Sequence, residues 1–113
     1  MYLTIGETKL RVGQYGEGVE TKLELSFEYA FASHNTYRRF AQVIAEQDRV
    51  KIKLKSEFTL TQDCLKLSQL ILGVEKLCTP DNLALLREIL QANSSVEPEE
   101  FITRQQALID FFK

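Results

Sequence analysis

Thr36-Tyr37-Arg38-Arg39-Phe40-Ala41-Gln42-Val43-Ile44-Ala45-Glu46-Gln47 decides how this chain folds, because it stands between two stretches of alternating apolar residues. At about 100° per residue, Tyr37, Phe40, Ala41, Val43 and Ile44 fall on one side of a helix. Arg38, Arg39, Gln42 and Glu46 fall on the other, so the spacing predicts an amphipathic helix. Ser33-His34-Asn35, just before it, offers capping residues. A helix here ends whatever sheet precedes it and delivers the chain to a separate strand.

Upstream, Leu23, Leu25, Phe27, Tyr29 and Phe31 alternate with Lys22, Glu24, Ser26 and Glu28, the most regular period of two in the chain. Leu3 to Ile5 and Lys9 to Tyr15 read as two shorter strands, with turns at Gly6-Glu7-Thr8 and Gly16-Glu17-Gly18. Three consecutive strands with short turns imply an antiparallel meander. Downstream, Val50, Ile52, Leu54, Phe58 and Leu60 restore the alternation, with Arg49, Lys51, Lys53, Lys55 and Glu57 opposite and a bend expected near Ser56. This fourth strand runs either antiparallel or, after a helical crossover, parallel to the third.

Thr61 to Cys78 follows as the central helix, apolar over more than one face. Cys64, Leu67, Leu70, Ile71, Val74, Leu77 and Cys78 form its main stripe, while Leu65 and Leu72 fall outside it. Thr79-Pro80-Asp81 starts another helix with a Thr cap, Pro in the first turn and a well-placed acid. Its stripe is Leu83, Leu86, Ile89 and Leu90, with Leu85 displaced. Glu97-Pro98-Glu99-Glu100 opens the last helix, whose stripe is Phe101, Ile102, Leu108, Ile109 and Phe112, with Phe111 to one side. The expected fold is a single α+β domain over residues 1–113. It is β-rich to residue 60 and helical from residue 61, with a four-stranded, largely antiparallel sheet covered on one face by helices.

The chain has 113 residues, 44% hydrophobic and 27% charged, the range of a soluble globular domain that folds without disulfides or metal. Cys64 and Cys78 lie roughly 21 Å apart on one helix, too far to pair. Both are read as buried free thiols, which favours a reducing, cytoplasmic location. No signal peptide or membrane span is expected. Asn93-Ser94-Ser95 matches a glycosylation pattern but is read as a polar turn between helices.

No catalytic, metal-binding or nucleotide-binding motif stands out, so neither an enzyme nor a cofactor is expected. His34 is the only histidine, and a lone histidine without patterned partners makes a poor metal or nucleophile site. Glu97, Glu99 and Glu100 are explained by a helix N-terminus. Gly13, Gly16 and Gly18 lie between strands rather than before a helix, where a phosphate loop requires them. A helix-turn-helix about Gly73 lacks the cations it would need, Arg87 being the only one on the following helix.

Two surfaces remain. Leu65, Leu72 and Phe111 are the candidate anchors for a protein partner or a second copy of the chain. The basic row Arg49, Lys51, Lys53 and Lys55, with Arg38, Arg39 and Tyr37, is a candidate patch for nucleic acid or an acidic partner. The acids Glu20, Glu24 and Glu28 would neutralise that row if the third and fourth strands were neighbours. The net charge of −2 excludes strong nonspecific attraction of the whole molecule to polyanions. The expectation is a small non-enzymatic interaction protein of adaptor, inhibitor or immunity type, with nucleic-acid binding as the alternative.

Overall fold

A computed structural model describes residues 1–17, 21–32, 36–47, 49–54 and 61–113. Five strands run in sequence order, β1 (Tyr2–Ile5), β2 (Thr8–Tyr15), β3 (Lys22–Ala30), β4 (Tyr37–Ala45) and β5 (Val50–Leu54), each antiparallel to the next. Three α-helices follow, α1 (Thr61–Leu77), α2 (Pro80–Ile89) and α3 (Pro98–Arg104), and then a 3-10 segment, Gln106–Phe112. The class is α+β, as expected, but the sheet has five strands rather than four.

The extra strand is the segment expected to be a helix. Tyr37–Ala45 is β4, paired along its length with β3. The misleading period comes from a bulge: Phe27 pairs with Ala41 and Glu28 with Arg39, leaving Phe40 as the extra residue. Phe40 and Ala41 are therefore both buried, and two successive inward side chains mimic a helical i, i+3, i+4 spacing. The bulge serves the core, since the Phe40 ring sits 6.2 Å from that of Phe27 and 6.0 Å from that of Phe31. β5 then runs antiparallel to β4 with no crossover. Of the longer strand expected there, residues 55–60 lie outside the described residues.

On the sheet's inner face Leu10, Val12, Leu23, Leu25, Phe27, Ala41, Val43 and Ala45 are buried under the helices. α1 lies against β4 and α3 against β1. α1 runs unbroken through Gly73, which excludes a helix-turn-helix there, and it buries Leu70, Val74 and Leu77. α2 starts as the sequence indicates, with Thr79 Oγ1 accepting from the Asn82 amide at 3.2 Å and Pro80 in the first turn, a cap contributing about 1 kcal/mol. Leu85, displaced from the expected stripe, is buried.

The last helix is shorter than expected. It ends at Gln105, which is buried and donates from Nε2 to Asn82 Oδ1 at 3.1 Å. The chain continues as a 3-10 turn, in which residues three apart share a side, so Ile109 and Phe112 both lean on the core. Phe112 stacks on Phe27 at 6.3 Å and crosses α1 at Gly73. A methyl group at Gly73 would lie 2.8 Å from Phe112 Cζ and 2.9 Å from Phe111 Cβ, whereas at Gly13 it would meet nothing within 4 Å. Gly73→Ala should therefore destabilise the fold by about 1–3 kcal/mol, and Gly13→Ala should change it by less than about 0.5 kcal/mol. Urea titration of both variants checks this, with an unchanged denaturant slope expected for each.

Candidate interaction surfaces

Strand register sorts the charged residues onto two faces. The face turned away from the helices carries Lys9 and Arg11 on β2, Glu24 and Glu28 on β3, Arg39 and Gln42 on β4, and Lys51 and Lys53 on β5. Glu28 lies between Lys9 and Arg39. The expected neutralisation of the basic row by the β3 acids does not occur, because β4 intervenes. Lys51 is opposite Ile44 and Lys53 opposite Gln42, so Glu24 is two strands away, about 10 Å. Among the described residues Arg39, Lys51 and Lys53 form no salt bridge.

Other members of the expected patch are placed elsewhere. Arg38 pairs with Tyr29 on the helical side and is half-buried, apart from Arg39. Arg49 sits 3.6 Å from Glu46, which also lies 3.6 Å from Lys22. Lys55, Glu20 and His34 lie outside the described residues. Two tyrosines on this face are engaged by cations: Lys9 Nζ is 3.9 Å from the Tyr37 ring centroid, and the Arg11 guanidinium 4.9 Å from that of Tyr2; Tyr15, farther along β2 on the same face, is 47% exposed. Arg11 also donates to the Tyr2 hydroxyl, from Nε at 2.8 Å and from Nη2. That hydrogen bond helps raise the guanidinium above its ordinary pKa.

On the outer face of α1 two leucines stand in solvent among exposed Gln62, Ser68, Glu75 and Lys76. Leu65 and Leu72 are 69% and 50% exposed. Burial on two sides would have absorbed them, and it does not occur. Seven residues apart, they lie about 10.5 Å from one another along the axis. Phe111, the third expected anchor, is half-buried: it leans on Gly73, with Lys76 Nζ 5.7 Å from its ring. Gln69 Nε2 donates to the Asp110 carbonyl at 2.6 Å, holding the 3-10 segment beside this face.

A third surface lies on β5. On the helical side of β5, Val50, Ile52 and Leu54 are 42%, 36% and 49% exposed, although they share a face with buried Ala45, Val43 and Ala41. At the opposite edge Leu3 and Ile5 of β1 are buried. The alternation of residues 50–54 signals which side chains share a face, but nothing in it tells whether a helix reaches that face.

Reactive chemistry is sparse. Cys64 is exposed, not buried as expected, because it sits at the outer margin of the α1 stripe. Cys78 is largely shielded, and burial pushes its thiol up to about 12. Tyr29 is raised by burial and by the neighbouring Glu7 carboxylate. Arg87, the one cation of α2, donates from Nη2 to the Ala45 carbonyl at 3.1 Å, and Glu100 pairs with Arg104 at 3.0 Å. Among the described residues no cluster of metal-ligating side chains occurs and no helix is long and apolar enough to cross a membrane. Two surface depressions, of about 200 and 210 Å³, lie beside Gly13 and between Arg39 and Lys53, below the ~300–1,000 Å³ of small-molecule pockets. Compared with models of protein families, with curated proteins and with solved structures, the chain finds no match.

The two cysteines should separate cleanly in native-state alkylation, Cys64 reacting fast and Cys78 slowly, as peptide mapping would show. Because the native state holds Cys78 protonated, its contribution to stability is intact below the ordinary thiol pKa of 9.0 and is lost as pH rises toward about 12. Urea midpoints measured from pH 8 to pH 11 should fall less steeply for Cys78→Ala than for the unaltered chain.

Proposed function

We propose that this chain is a non-enzymatic protein-binding domain of adaptor, inhibitor or immunity type, acting through surface that is preformed in the fold. The observation that carries this reading is the exposure of Leu65 and Leu72 on the outside of α1. Two leucines held in the open on one ordered helix gain nothing for folding, and exposed apolar side chains rimmed by polar groups are the anchors of contact sites. Ser68 lies between them on the helix, and Glu75 and Lys76 border Leu72.

Replacing both leucines by aspartate should lower urea stability by no more than about 1 kcal/mol, the helix-propensity cost of the two changes. It should remove the partner found by quantitative affinity capture with the unaltered chain as bait. A destabilisation above about 2 kcal/mol, or an unchanged set of captured proteins, would overturn the assignment. Light scattering on the pure protein tells a self-partner from a foreign one.

A second reading has its own support in the separation of Lys51 and Lys53 from the β3 acids. Nucleic-acid binding by Arg39, Lys51 and Lys53 predicts an affinity for single-stranded RNA that falls with salt and is lost in the Lys51→Glu, Lys53→Glu variant. The engaged faces of Tyr2 and Tyr37 weigh against it, since single-strand binding draws on open aromatic platforms. Absence of binding at about 50 mM salt, where phosphate contacts are only weakly screened, removes this reading.

A further inference from the structure

We propose that the open edge of β5 is a strand-addition site for an extended peptide in which apolar and acidic residues alternate. This rests on the protein-binding reading and names the chemistry of a partner that reading leaves open. Among the described residues no strand pairs with β5 on the side away from β4.

The backbone groups available there follow from the hairpin. Glu46 N–H donates to the Arg49 carbonyl at 2.9 Å, so those two residues form a hydrogen-bonded pair. In an antiparallel ladder such pairs alternate with non-bonded ones, and the register continues through Ile44↔Lys51 and Gln42↔Lys53. Lys51 and Lys53 thus spend their backbone groups on β4. Val50, Ile52 and Leu54 aim theirs at the edge.

The side chains of the same residues define the occupant. An added strand lying antiparallel would set alternate residues beside Val50, Ile52 and Leu54, whose apolar side chains are exposed, and the intervening ones beside Lys51 and Lys53. The first set gains by being apolar. The second gains by being acidic, since neither lysine has an ion-pair partner among the described residues and opposite charges across a ladder attract. A second copy of β5 is a poor occupant: antiparallel pairing centred on Ile52 puts Lys51 against Lys53, and lysines on an edge strand guard against such self-pairing. A nucleic-acid strand would satisfy the lysines and leave the apolar row and the edge amides unmet.

The probe is a fluorescein-labelled decapeptide alternating isoleucine with glutamate, compared with the same peptide carrying lysine for glutamate and with single-stranded RNA. Anisotropy should show the glutamate peptide binding roughly tenfold or more tightly than the lysine peptide. Hydrogen exchange should slow at the amides of Val50, Ile52 and Leu54. Lys51→Glu with Lys53→Glu should reverse the preference. Ile52→Pro should abolish binding without breaking a β4 bond, because the amide it removes points outward; if that variant fails to fold, the charge reversal decides. Equal affinity for the two peptides, protection confined to α1, or a preference for RNA overturns the proposal. Loss of a captured partner in the Leu65, Leu72 variant beside a failed peptide experiment sinks the edge site alone. Peptide binding at β5 beside an unchanged capture sinks the α1 assignment alone.

Discussion

Phe112 is the contact on which the arrangement of the two layers depends. Its ring stacks on Phe27 in the middle of the sheet, and its edge lies against α1 where only a glycine leaves room. Its carbonyl accepts from the Glu7 amide at 2.7 Å and from Thr8 Oγ1 at 3.1 Å. Gly6 makes that approach feasible twice over. It takes a left-handed φ of 60° in the β1–β2 turn, and a methyl group there would stand 2.7 Å from the Phe112 oxygen. One residue thus joins helix, sheet and turn, with burial of its ring contributing about 2–3 kcal/mol.

That clamp sits toward the β1 side of the molecule, and the consequence is felt at the other edge. With the 3-10 segment fixed to the β1–β2 turn and α3 against β1, the helical layer reaches α1 over β4 and stops. β1 is buried on its inner face while β5 is exposed on both. The uncovered apolar row of β5 therefore arises from a helical layer that is narrower than the five described strands and anchored at one end.

The parts of the fold legible in the sequence are those where periodicity is uninterrupted. β3 alternates cleanly and was readable as a strand, and the Thr79-Pro80 start of α2 announces itself by cap chemistry. β4 was not readable, because a single extra residue at Phe40 converts a period of two into a helical spacing. The break at Gln105 is equally hidden, since it accompanies a partly buried hydrogen bond with Asn82, twenty-three positions away. Among the site residues, Leu65 and Leu72 could be placed off the main stripe from the helical angle alone. Leu85 was displaced by the same measure yet is buried, so angle identifies a face and tertiary packing decides whether that face is covered. β4 also decides the neighbours of the basic row, because the distance from Lys51 to Glu24 depends on whether a strand lies between them.

The lysines of β5 admit two physical roles that need not compete. On an edge with apolar neighbours they raise the cost of pairing with another copy, the ordinary defence of an exposed strand. The charge that repels a like strand would attract an acidic one, so at the proposed edge site the defence would also select a partner. Were the row only a defence, burying or polarising Val50, Ile52 and Leu54 would serve better. With Val50, Ile52 and Leu54 exposed beside lysines that have no ion-pair partner among the described residues, the proposed edge site would favour an acidic, extended protein segment over a polyanion.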